Sequence, residues 1–173
     1  MESKADALVL RATDYGEYDK MVTLLTAERG KIGAALKGVR RAGAKLKFAA
    51  QPFCFAEYVF ASRGGRNTVT SAALHDGFYA LREDVTRYYA GAVVLSACDK
   101  IALEGMESGE LLVAAVTALE EIAQLSPAFA EGLRSEFSLT FDFFGAEVGI
   151  SAMFVVLAAV AAVFAGLNVL AAV

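Results

Sequence analysis

Chemically reactive side chains are scarce in this 173-residue sequence. It holds one histidine, His75, two cysteines, Cys54 and Cys98, and no Cys-x-x-Cys pair. A zinc site needs several His or Cys ligands, and a nucleophilic triad needs a base beside its nucleophile, so both would hang on a single histidine. His75, next to Asp76 at the end of a strand-like run, reads as structural. The Gly-Lys-Ser/Thr signature of a phosphate-binding loop is missing, so nucleotide hydrolysis has no support. Glu83-Asp84 and Glu120-Glu121 are neighbours along helical segments and diverge around the axis as solvated surface does. No metal, no cofactor and no enzymatic activity is expected. The two cysteines sit far apart in apolar runs, as buried thiols of a reducing compartment do. The start, Met1-Glu2-Ser3-Lys4-Ala5-Asp6, lacks the apolar stretch of a secretory signal, which points to the cytoplasm.

Each half of the chain is short of charge of one sign. Residues 1–75 hold 12 of the 16 Lys and Arg but only 7 of the 20 acids, for a net of +5. Residues 76–173 hold 4 and 13, for a net of −9. Long-range steering and phosphate contact follow surface charge, so the first half is the one suited to a polyanion. Hydrophobic residues make up 57% of the sequence, enough for a packed core and far from a disordered composition.

The chain is expected to be α+β, a five-stranded OB-fold barrel over 1–75 followed by an α-helical domain over 76–149. Short runs rich in β-branched and aromatic residues predict strands at 7–11, 21–26, 31–36, 53–61 and 68–74. Hairpins are expected at Glu28-Arg29-Gly30 and at Arg63-Gly64-Gly65-Arg66-Asn67. Five strands in about 70 residues, with a longer connection after the third, fit a partly open Greek-key barrel of OB type, although small SH3-like barrels have similar statistics. After Asp76 the period changes. Leu81, Val85, Tyr88, Ala92 and Leu95 mark one face of a helix running to about Leu103. Further helices are expected at 108–124, with Ser108 and Glu110 in its first turn, and at 127–144, with Ser126 at the cap and Pro127 in the first turn.

Residues 150–173 carry no charge, and their clearly polar side chains are Ser151 and Asn168. Their number allows a membrane span. Against that, the stretch is rich in Ala, has no Lys or Arg between Arg134 and the end, and has no interfacial Trp or Tyr. A buried helix, or an end that is not typical of the chain's relatives, explains it equally well.

The densest functional signal is Lys37-Gly38-Val39-Arg40-Arg41-Ala42-Gly43-Ala44-Lys45-Leu46-Lys47, five cations in eleven residues on the connection after the third strand. Cations so placed neutralise phosphates and release counterions, and the glycines let backbone approach a strand. The plainer alternative is a solvated loop. Lys31 and Arg66 lie in the same basic half, as do Arg11, Lys20, Arg29 and Arg63. Tyr15, beside Gly16 in a turn, is the candidate on which a base would stack, whereas Phe53, Phe55, Tyr58 and Phe60 read as barrel filling. Arg63-Gly64-Gly65-Arg66 reads first as a turn with positive φ and only second as a phosphate cradle.

Taken in order and spacing, Ala7-Leu8-Val9-Leu10, Tyr15-Gly16-Glu17, Asp19, Val22-Thr23-Leu24-Leu25-Thr26, Gly30-Lys31, Lys37-Gly38-Val39-Arg40-Arg41 and Gln51-Pro52-Phe53 resemble the amino-terminal domain of the RecO family of DNA recombination and repair mediators. The likeness continues through 67–74 and Leu81-Arg82-Glu83-Asp84 and covers about residues 5–145. It implies an OB-fold followed by a helical domain. It also implies binding of single- and double-stranded DNA, annealing of complementary strands, and help, with RecR, in loading RecA onto strands coated by single-strand-binding protein. None of these cleaves a bond. By position, Lys37, Arg40, Arg41 and Tyr15 fall in the domain such proteins use for DNA, with Lys31 and Arg66 as weaker additions beside Lys45 and Lys47 of the loop. Many members carry a four-cysteine zinc element near the carboxyl end, for which this chain has no counterpart, so structural zinc is not expected. The competing function is an adaptor whose basic barrel binds an acidic protein segment without a DNA role of its own.

Overall fold

The computed structural model describes residues 2–125 and, by their backbone, two short strands at 140–143 and 146–149. Residues 150–173, read as a membrane span, a buried helix or an atypical end, and most of the expected helix at 127–144 lie outside the described residues.

Five strands, β1 (Glu2–Tyr15), β2 (Asp19–Thr26), β3 (Gly30–Leu36), β4 (Phe55–Arg63) and β5 (Arg66–Asp76), close into a barrel in the order β1-β2-β3-β5-β4. This is the Greek-key order of the OB type. The barrel is closed rather than partly open, but its last seam is short: β3 and β5 run parallel and pair only at Ala34↔Asn67 and Ala35↔Thr68. Period-two alternation fills the interior. Val22, Leu24, Ile32, Ala34, Leu36, Ala56, Tyr58 and Phe60 are buried together, and the residues that alternate with them are less buried, Leu25 excepted. Tyr58 is tolerated there because its hydroxyl donates to the Ala49 carbonyl at 2.9 Å. Of the aromatics of β4, Tyr58 and Phe60 fill the barrel as expected, whereas Phe55, expected there too, is only half-buried, beside His75, because alternation puts it on the other face.

The β4–β5 turn behaves as its glycines require. Gly64 and Gly65 have φ of 58° and 74° between the paired Arg63 and Arg66, the two-residue hairpin geometry that matches strand twist. Several boundaries differ from the pattern, with β1 running Glu2–Tyr15 and not 7–11 and β5 running Arg66–Asp76 and not 68–74. The fourth strand starts at Phe55, not at residue 53, because buried Phe53 takes a left-handed backbone (φ 66°) immediately before it.

The chain forms two compact units, residues 1–77 with 95–116, and residues 78–94 with the remainder. In the first unit the segment 102–108 is laced to the β2–β3 hairpin by backbone hydrogen bonds. The Lys31 amide donates to Leu103 O (3.2 Å), the Gly105 amide to Arg29 O (3.0 Å) and the Ser108 amide to Ala27 O (2.7 Å). The single helix expected to run to Leu103 is broken in two, α1 (Tyr79–Glu83) and α2 (Val85–Ile101). The cause is Asp84, which is extended and caps α2 by accepting from the Arg87 amide at 2.8 Å. Asp84 is therefore a cap and not the solvated helix surface that its pairing with Glu83 suggested. α3 (Gly109–Gln124) follows Ser108 as expected.

The expected third helix is corrected at its end, where β6 (Thr140–Phe143) pairs antiparallel with β7 (Ala146–Gly149). Thr140-Phe141-Asp142-Phe143 alternates polar and aromatic residues, a strand pattern that outweighs the helical period assigned to it. Among the described residues no helix is long and apolar enough to cross a membrane.

Candidate nucleic-acid interface

The basic segment 37–47 is largely exposed but is anchored at defined points. Val39 in its middle is buried in the barrel core beside Ala49 and Ala50. At its start the Gly38 amide donates to Asp19 Oδ1 (2.7 Å) and the Arg40 amide to the Tyr18 carbonyl (2.9 Å), so the loop is pinned to the β1–β2 turn. Gly38 has φ of 65°, which lets the chain turn sharply after β3. At its end Lys47 Nζ donates to the Ala42 carbonyl (2.8 Å) and closes the loop on itself. Anchoring thus uses backbone groups, the Val39 side chain and the Lys47 ammonium, and leaves Lys37, Arg40, Arg41 and Lys45 exposed at the surface.

Those charges line two open clefts. One, of about 500 Å³, is bordered by Lys37, Arg41 and Lys45 with backbone from Gly38 and Gly43. The other, of about 250 Å³, is bordered by Lys20, Arg40, Lys47 and Gln51 over the buried Val39 and Ala50. Arg41 lies over the Tyr18 ring, 4.9 Å from its centroid, which orients its planar fork. The Tyr18 hydroxyl titrates above its ordinary range, first because of its hydrogen bond with Glu17. Tyr15 ends β1 opposite Asp19 and is 62% exposed on the turn that holds the loop.

Of the residues singled out by sequence, Lys37, Arg40, Arg41, Lys45 and Lys47 come together, with Tyr15 on the adjoining turn. Lys31 and Arg66 border neither cleft. Lys31 Nζ donates to the Asp99 carbonyl at 2.6 Å and stands 3.4 Å from its carboxylate, which gives this lysine a structural partner instead of a place in the basic loop. Arg66 is exposed at the β4–β5 turn, beside Asn67, whose amide donates to the Gly33 carbonyl at 3.2 Å. Lys20 and Gln51 were missed as site residues. The signal for Lys20 was topological: antiparallel pairing of β2 with β3 sets it opposite Leu36, one residue before the basic run.

His75 meets the structural expectation. Its Nε2 lies 2.8 Å from Asp6 Oδ1 on β1, and its ring is 5.0 Å from Phe55. Cys54 and Cys98 are both buried thiols, and burial pushes the Cys98 thiol up to about 11.

Comparison with known proteins agrees with this geometry. The family described as Recombination protein O N terminal matches residues 1–78, the whole barrel. The DNA repair protein RecO of Heliobacterium modesticaldum is 39% identical over 98 residues, 57% of this chain and 36% of that protein. RecO of Bacillus pumilus is 35% identical over 97 residues, 56% of this chain and 38% of that protein. RecO of Desulfitobacterium hafniense is 32% identical over 127 residues, 73% of this chain and 46% of that protein. The matched stretch spans less than half the length of each of these relatives. With a barrel of the OB order, the family match running its full length and the similarity extending past it, the chain belongs to the RecO family.

Proposed function

We propose that this chain acts in DNA repair and recombination as a DNA-binding mediator, with the loop 37–47 as its principal contact to the phosphate backbone. The observation that supports this best is the pinned loop itself, whose side-chain cations are held at the surface on either side of a buried valine. Phosphate contacts of this kind are insensitive to sequence and serve single and double strands alike, with exposed Tyr15 available for stacking on unpaired bases. On this reading the protein binds and anneals strands without cleaving a bond, works in the cytoplasm, and assists RecA loading together with RecR and single-strand-binding protein, as its family resemblance implies.

Fluorescence anisotropy of a labelled single-stranded oligonucleotide across a salt series tests the reading, comparing the wild type with the variant in which Lys37, Arg40 and Arg41 are all changed to Ala. If four to six phosphates are contacted, log affinity falls against log salt with a slope of about −3 to −4, and removing three cations makes it shallower by about 2. Salt-independent binding, or a triple variant that binds like the wild type, would refute the loop as the DNA site. Binding to an acidic peptide in place of DNA would favour the adaptor.

A further inference from the structure

Asp14 already occupies two of the cations that line the smaller cleft. Its Oδ2 lies 3.3 Å from Arg40 Nη2 and its Oδ1 3.6 Å from Lys20 Nζ. Asp14 and Lys20 face each other across the β1–β2 ladder, and the Gly16 carbonyl of the adjoining turn stands 3.5 Å from Arg40 Nη1. A carboxylate bridging an ammonium and a guanidinium offers the same pair of charged acceptor oxygens that a phosphodiester would bring to the same two groups. The third cation of the cleft, Lys47, meets no carboxylate among the described residues and donates only to the Ala42 carbonyl. The Asp14 and Arg40 side chains are 54% and 39% exposed, so their pairing is made in water. An ion pair of that kind is weak and exchanges readily for a competing anion.

We propose that the cleft between Lys20, Arg40 and Lys47 is a phosphate subsite for a DNA strand and that Asp14 is its built-in competitor, displaced when the phosphodiester enters. This rests on the DNA-binding reading and adds a residue that opposes it. The carboxylate cancels one of the three charges and keeps two cations oriented while the site is unoccupied. It also weakens the bound state, so that a strand leaves more easily than the cation count would suggest.

The test is Asp14→Asn, isosteric and without charge, assayed by anisotropy with a labelled single-stranded oligonucleotide over a salt series. Unfolding in urea confirms the folded state, and Asp14→Ser serves as a second variant with the same expectation. The proposal expects binding tighter by about 3- to 10-fold at low salt and a salt slope steeper by about 0.7, one further phosphate. The gain should vanish when Lys20 and Arg40 are also changed to Ala. If the wild type binds and Asp14→Asn binds equally or less tightly, the competitor is refuted while the loop as DNA site stands. A gain that persists without Lys20 and Arg40 also overturns it, since the effect would then be one of net charge alone. If neither protein binds DNA, this proposal and the DNA-binding reading fall together, and binding by Asp14→Asn alone would support the competitor in its strongest form.

Discussion

The β2–β3 hairpin and the loop after β3 both place basic residues beside a glycine of positive φ, Gly30 at 59° and Gly38 at 65°. At the hairpin the cations serve the fold. Arg29 lies 5.3 Å from the centroid of the buried Phe60 ring, Lys31 is taken by Asp99, and the backbone is laced to residues 103–108. At the loop the backbone, Val39 and Lys47 do the anchoring, Arg40 pairs with Asp14, and the cations border two clefts. Equal charge at similar turns therefore has opposite uses, decided by what lies within reach. A carbonyl and carboxylate of the same chain meet Lys31, whereas Lys37 and Lys45 meet no carboxylate among the described residues. Charge density in a sequence locates candidate contacts, and competition with internal partners selects among them.

The largest expected effect separates the two glycines. A methyl group on Gly30 would stand 2.2 Å from the Leu103 carbonyl oxygen and 2.5 Å from that of Met106, and the φ disfavours a side chain as well. Gly30→Ala should destabilise the fold by about 3 kcal/mol or more in urea unfolding, because backbone that cannot yield must move. Gly38 has a similar φ of 65° but nothing nearer than the flexible Arg41 side chain at 3.8 Å, so Gly38→Ala should cost only the left-handed penalty, about 1–2 kcal/mol. Equal losses at both positions would mean that the lacing of 103–108 to the hairpin contributes little.

A smaller effect separates the two lysines. Lys31→Ala should lower stability by about 1 kcal/mol, through a lost hydrogen bond and a partly buried ion pair, and leave DNA affinity nearly unchanged. Lys37→Ala should leave the unfolding midpoint within about 0.5 kcal/mol and make the salt slope shallower by about 0.7. A Lys31 variant that lost DNA binding while remaining folded would return that residue to the interface.

The smallest effect concerns pH and belongs to the buried interior alone. Burial raises the Cys98 thiol to about 11, and burial beside Cys54 raises the Tyr58 hydroxyl above its ordinary range. Both are neutral acids in the fold, so the folded state keeps protons that the unfolded chain releases. Their contribution is fully present below the unfolded thiol value near 9 and is lost as pH rises from there through about 11. Unfolding midpoints should fall with pH above 9, and less steeply in Cys98→Ala. A pH-independent midpoint over that range would show the thiol to be open to water.

Much of this protein could be read from its residues in order. Alternating β-branched and aromatic runs with Gly-bearing breaks determined five strands, two hairpins and the barrel filling of Phe60 and Tyr58, because period two leaves one choice of face once a core must form. The density of Lys and Arg after the third strand marked the candidate contact for a polyanion. What the order of residues left undecided was whatever depends on groups far apart along the chain. Asp84 broke a helix that its flanking periodicity had joined, since a cap forms only when local geometry outweighs hydrophobic spacing. Pairing of β2 with β3 carried Lys20 to the loop, and the fold carried Lys31 to Asp99 on α2, 68 residues away, so that two lysines of one basic half acquired unlike surroundings. The physical reason is range: propensity and burial pattern act within a few residues, but a charge is defined by its nearest partner in space, and only the tertiary fold chooses that partner.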